Sequence, residues 1–196
     1  MSILSIALLL FIVLDPFGNM VTLNTLLGAL PAARRRRVMF RESLIALGIL
    51  LLFVFAGGVL LRALGLDTYT LGISGGIVLF MIALGMVFPA RRVVDEQALD
   101  DALVVPIAMP LIAGPGAISI VTVLAQQNPL PTVVGAVLVA ALAATAVLTV
   151  SPTLFAFLGR RGALALERLM GILLVMLSVQ MVLDGVAAYL SSRGAS

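Results

Sequence analysis

Apolar residues run along this chain in blocks too long and too unbroken to be single faces of soluble helices. A hydrocarbon core roughly 30 Å thick takes about 20 residues at 1.5 Å each. Stretches of that size, bounded by charges or turn residues, fall at 3–27, 42–62, 69–88, 102–125, 131–152 and 168–190. The pattern predicts an all-α polytopic membrane protein: six transmembrane helices with short loops, forming a single integral membrane domain over 1–196. From Ala102 to Gly159 no charged residue occurs, a run of 58 positions that is long enough for two spans. The first fourteen residues lack a basic leader and a small-residue cleavage pattern, so they read as a retained span rather than a signal peptide.

Composition agrees: 62% of residues are hydrophobic and 11% are charged, where a soluble domain carries about 25% charged. Charge adds orientation. All twelve basic residues are Arg, and ten of them (Arg34 to Arg37, Arg41, Arg91, Arg92, Arg160, Arg161 and Arg168) fall in or beside three connections. Only Arg62 and Arg193 fall on the other side, so the three basic connections are expected in the cytoplasm and both termini outside. The same clustering argues against a nucleic-acid partner and for contact with membrane lipids. Asp95, Glu96, Asp100 and Asp101 read as a water-exposed connector.

Two halves echo each other. Gly76–Val87 set over Gly171–Val182 gives six identities in twelve, and each half opens with a span interrupted by Gly and Pro. Three spans is an odd number, so duplication predicts two inverted three-helix repeats, 1–90 and 102–190, with helices one and four broken. Pro16 and Pro115, with Pro106 and Pro110, are the breakers, because proline lacks a backbone donor and its ring opposes the preceding turn. Asp15-Pro16 reads as an N-cap followed by proline at the first helical position, and Gly114-Pro115 reads the same way.

A helix that begins inside the membrane directs unpaired N–H groups and a partial positive charge inward, where lipid cannot satisfy them. The candidate binding residues are therefore Asp15, Gly18, Asn19 and Thr22 after the first break, and Gly114, Gly116, Ala117, Ser119 and Thr122 around the second. Helix starts and hydroxyls suit a carboxylate, and Asp15 suits an ammonium. Asp15 is equally readable as a plain cap, and Asn19, Ser119 and Thr122 as hydrogen-bond links between helices. Gln180 and Asp184 read as interfacial. Glu42 and Glu167 read as interfacial partners of Arg41 and Arg168. Gly72 and Gly76 read as a close-packing face, and Met81, Met86, Met170, Met176 and Met181 as adaptable packing. The absence of Cys and His removes thiol and imidazole chemistry and the commonest metal ligands, so neither an enzyme nor a metal or other cofactor is expected. Coupling to protons or to sodium through Asp15 stays open.

The segments Asp15-Pro16-Phe17-Gly18-Asn19, Ser74-Gly75-Gly76-Ile77, Pro110 to Gly116 and Glu167-Arg168-Leu169-Met170-Gly171, together with the Arg-rich stretch after the first span, resemble the MarC-type family of bacterial and archaeal membrane proteins. The resemblance covers almost the whole chain. It implies a small six-helix protein related to amino-acid exporters, with neutral amino-acid transport assigned to some relatives, and it carries over Asp15, Pro16, Gly18, Asn19, Gly114, Pro115 and Gly116. Val21 stands where the family often has proline, which implies a less bent helix after Asp15. The expected function is transport of a small neutral amino acid such as glycine, alanine or serine. The alternatives are export of another small metabolite, or a structural membrane protein that transports nothing. The glycine-rich faces leave self-association into a homo-oligomer open.

Overall fold

The computed structural model describes residues 1–28, 31–88 and 113–194, and they are helical with short turns. The elements are α1 (Ile3–Leu14), α2 (Pro16–Leu27), α3 (Ala32–Ala63), α4 (Thr68–Val87), α5 (Pro115–Gln127) and α6 (Leu130–Gly194). The expected positions Arg91, Arg92, Asp95, Glu96, Asp100, Asp101, Pro106 and Pro110 lie outside the described residues.

The expectation of six transmembrane helices in two inverted three-helix repeats is corrected here. Among the described residues, four helical stretches are long and apolar enough to cross a membrane: Ile3–Asn24, Ala33–Ala63, Thr68–Val87 and Leu130–Gly194. Of the fourth expected span, the described part is the 13-residue α5, too short to cross alone. The fifth and sixth fall within one 65-residue helix, α6, whose backbone leaves helical geometry at Gly159 (φ 64°, ψ 174°). In the first half α3 and α4 are joined by a turn at Gly65 (φ 65°), and in the second the corresponding stretches are the limbs of α6 on either side of Gly159. Arg34 to Arg37 occupy the first turns of α3, and Arg160 and Arg161 continue α6.

α6 reverses direction. Ile3 at the start of α1 packs on Gly135, and Leu9 shares a cavity with Gln180 and Asp184. Further along, Leu14 lies with Ala141 to Leu148, while Val13 lies with Glu167 and Leu174. The limbs of α6 before and after Gly159 therefore run in opposite directions beside α1. Gly159 permits this because the φ/ψ pair it holds is essentially restricted to glycine.

The core is mostly apolar, with Ile6, Leu10, Leu23, Leu50, Val121, Val137, Leu148 and Leu174 almost fully enclosed. The outer surface is also apolar: Leu4, Leu52, Phe55, Met81, Leu142 and Leu183 are exposed, the arrangement expected where lipid replaces water.

The tightest packing joins α4 to the second limb of α6. A side chain built on Gly76 would come within 2.9 Å of the Ser178 carbonyl oxygen and within 3.1 Å of Met181, and would also meet Val182. One built on Gly171 would meet Met86, Val87 and the Ala83 carbonyl oxygen at 3.2 Å. The two contact sets exchange under the pairing of Gly76–Val87 with Gly171–Val182, so the two echoing segments cross with a local two-fold relation. Small residues let backbones approach closely where no hydrophobic force between helices exists. Gly76→Ala is accordingly expected to destabilise the detergent-solubilised protein by about 1–3 kcal/mol through overpacking. Gly48→Ala, where a Cβ meets nothing within 4 Å, should be neutral or slightly stabilising. Thermal melts followed by circular dichroism compare the two.

Candidate functional site

The site is organised by one residue that ends a helix and begins the next. Asp15 adopts a left-handed backbone (φ 45°, ψ 59°), the only positive φ at a non-glycine among the described residues. Asp and Asn reach this region more easily than other side chains. The Asp15 N–H donates to the Phe11 and Ile12 carbonyls at 3.2 and 3.1 Å, closing α1. Its side-chain Oδ1 accepts from the Gly18 N–H at 3.1 Å, and its carbonyl accepts from the Asn19 N–H at 3.1 Å, opening α2. Pro16 sits in the first turn, where its missing donor costs nothing. Asn19 returns across the break, its Nδ2 donating to the Leu14 carbonyl at 3.0 Å. Gly18 is required by close approach, because a side chain there would collide with the Asp15 carboxylate and the Met86 methyl.

This break opens into a cavity of about 360 Å³. Asp15, Gly18, Asn19 and Thr22 line it from the α2 side, and Gly114, Gly116 and Ala117 from the start of α5. Leu79, Met81, Ile82, Gly85 and Met86 of α4 close it, with Glu167 and Leu174 of α6. The start of α5 carries no side-chain cap on Gly114, and Pro115 in its first turn has no N–H, so the partial positive charge of that helix end faces the same space. Two carboxylates therefore share a cavity with an uncapped helix start. Among the described residues no group of three His, Cys, Asp or Glu side chains comes together to hold a metal ion.

Residues 1–190 match the family described as MarC family integral membrane protein. The chain belongs to the MarC family. It is 41% identical over 195 residues to a UPF0056 membrane protein of Buchnera aphidicola subsp. Schizaphis graminum, covering 96% of this chain and 97% of that protein. It is likewise 41% identical over 195 residues to the UPF0056 inner membrane protein YhgN of Escherichia coli strain K12, covering 96% and 98%. A UPF0056 membrane protein of Aquifex aeolicus is 32% identical over 190 residues, covering 90% of this chain and 88% of its own length. No solved structure matches. The chain is thus a multi-pass membrane protein of the MarC family.

Seven of the nine expected binding residues in this MarC-family chain line the cavity, and two do not. The Ser119 hydroxyl donates to the Leu71 carbonyl on α4 at 2.6 Å, a link between helices. The Thr122 hydroxyl donates back to the Ile118 carbonyl at 2.9 Å, and the side chain packs against Gly57 of α3. Both are fully enclosed by neighbouring helices. Glu167, expected beside Arg168 as an interfacial partner, lies 8% exposed in the cavity wall. Glu42 does form the expected pair with Arg41, at 2.7 Å. Met81 and Met86 also reach the cavity, and Gln180 with Asp184 line a different one. Spacing gave no sign of Glu167, because its place depends on the reversal of α6.

The break separates two roles of Asp15 experimentally. Asp15→Ala is expected to lose about 1–2 kcal/mol from the missing cap and a further 1–2 kcal/mol from a left-handed alanine. Asp15→Asn keeps a capping oxygen and a residue tolerant of that backbone, so its melting temperature should stay close to wild type. Circular dichroism melts in detergent decide it.

Proposed function

We propose that the protein carries small neutral amino acids across a bacterial cytoplasmic membrane, with the cavity beside Asp15 as the binding site. The observation that carries this reading is the meeting, around one cavity, of two carboxylates with a helix start that has no side-chain cap. A zwitterion presents an ammonium and a carboxylate a few ångströms apart, and the cavity offers a complement to each: Asp15 and Glu167 for the first, the Gly116 and Ala117 end of α5 for the second. A volume near 360 Å³ lies at the low end of ligand cavities and suits a solute with two or three carbons and its water. The apolar wall of Leu79, Ile82 and Leu174 accommodates a methyl group and gives a larger charged side chain no partner. Glycine, alanine and serine meet these conditions.

In this reading Asn19 and Thr22 orient the solute, while Asp15 holds the break open and faces the ammonium. The reading needs no covalent chemistry. Both termini lie outside the cell, as the distribution of Arg implies. The charge on Asp15 is also the natural site of proton or sodium coupling, since a buried carboxylate is costly unless a cation accompanies it.

Purified protein in sealed liposomes is expected to take up labelled alanine, and excess glycine or serine should compete. Asp15→Asn should weaken uptake by about ten- to hundredfold, the effect of losing a hydrogen bond to a charged group. Imposing proton and sodium gradients on wild type and Asp15→Asn identifies the coupling ion as the one whose stimulation disappears in the variant. Intact, monodisperse protein that moves none of the three amino acids would remove the assignment.

A further inference from the structure

The cavity beside Asp15 has a counterpart toward the other ends of the same helices. A second cavity of about 370 Å³ lies between the starts of α1 and α4 and the ends of α5 and α6. Thr68, Tyr69, Gln127, Gln180 and Asp184 bring polar groups into it from three helices. The Gln180 Nε2 donates to Asp184 Oδ1 at 2.7 Å, so these polar groups stand in a lining that is otherwise mostly apolar. Gln180 and Asp184, read from sequence as a mere interfacial pair, thus belong to a concave surface.

The two cavities lie along one line. α4 reaches the second through Gly72 and the first through Leu79; α5 reaches them through Ile120 and Ala117; α6 does so through Leu177 and Leu174. On α5 and α6 the linings are three positions apart, about 5 Å at 1.5 Å per residue. On α4 they are seven positions apart, so a layer one to two helical turns thick divides the cavities.

In that layer α4 presents two glycines, with Met181 of α6 beside them. Gly75 and Gly76 of α4 meet Ser119 of α5 and Ser178 of α6, all of them buried. Ser119 sits directly on Gly75, where an added Cβ would collide with it, and its hydroxyl supplies the 2.6 Å bond to the Leu71 carbonyl. The Ser178 hydroxyl stays within its own helix, donating to the Val175 carbonyl at 2.7 Å. This wall, bridged between α4 and α5 by that hydroxyl, opens with a small separation of the two helices.

We propose that the second cavity is the opposite vestibule of the same path, taking the same small polar solute with its water, and that Ser119 seated on Gly75 and bonded to Leu71 is the closed barrier between the two. The identity of the solute rests on the transport reading above; the sidedness of the two cavities does not. A lipid-filled groove is the competing occupant, and the polar groups from three helices oppose it.

The natural absence of cysteine makes the test direct. Gly85→Cys places one thiol in the first cavity and Val123→Cys one in the second. In right-side-out and inverted membrane vesicles, a membrane-impermeant thiol reagent is expected to label each from one face only, and from opposite faces. Adding Ser119→Ala to either should raise labelling from the far face about fivefold, the weight one hydrogen bond carries in an opening equilibrium. Gly75→Ala, whose methyl displaces Ser119, is the second variant and should act in the same direction. Labelling of both thiols from one face, reaction of Val123→Cys with a lipid-soluble maleimide alone, or far-face labelling unchanged in both barrier variants would overturn the proposal. Alanine flux measured in the same vesicles keeps the two readings apart: sided labelling without flux removes the solute, and flux without sided labelling removes the barrier.

Discussion

A helix interrupted inside hydrocarbon exposes carbonyls at one end and N–H groups at the other, and no solvent is present to take them. The chain meets this demand at Asp15 with very few atoms. The backbone of Asp15 closes α1, its carboxylate and carbonyl open α2, and Asn19 reaches back to the Leu14 carbonyl. Because the break satisfies itself, it does not have to be covered by another helix. Space is left beside it, and the first cavity occupies that space. The start of α5 presents the complementary case, an end without a side-chain cap that faces the same cavity.

Glycine positions then decide where helices approach and where they stand apart. α4 is held against the second limb of α6 by Gly76 and Gly171, and against α5 by Gly75 beneath Ser119. Where α4 carries Leu79, Ile82 and Met86 instead, it borders open volume. Close packing and cavity therefore alternate along a single helix.

Much of the site was readable in the sequence because its determinants are local. Asp-Pro followed by Gly and Asn specifies a cap, a proline in the first turn and a return bond within five residues, and no distant partner is needed to predict them. The expected close packing at Gly72 and Gly76 holds at Gly76, whereas Gly72 borders the second cavity. Ser119 and Thr122 were harder, since a hydroxyl in a membrane helix satisfies itself equally well with a ligand, a neighbouring carbonyl or its own helix, and the outcome depends on which glycine faces it. Glu167 was out of reach, because its position is set by a reversal many residues away in space. The number of spans differs because apolar length alone does not show where a helix begins or bends: the described part of the fourth expected span is the short α5, and the fifth and sixth are limbs of one element bent at Gly159.

The reversal at Gly159 has a bearing on how the chain is assembled. A straight 65-residue helix would extend about 98 Å, some three times the thickness of a hydrocarbon core. The hairpin instead places two exposed guanidinium groups, Arg160 and Arg161, immediately beyond its apex. Drawing that apex into the membrane interior costs roughly 2.5–3.5 kcal/mol for each arginine on insertion scales. The bend is thus also a mooring: once the two limbs are threaded, their depth is fixed from one end.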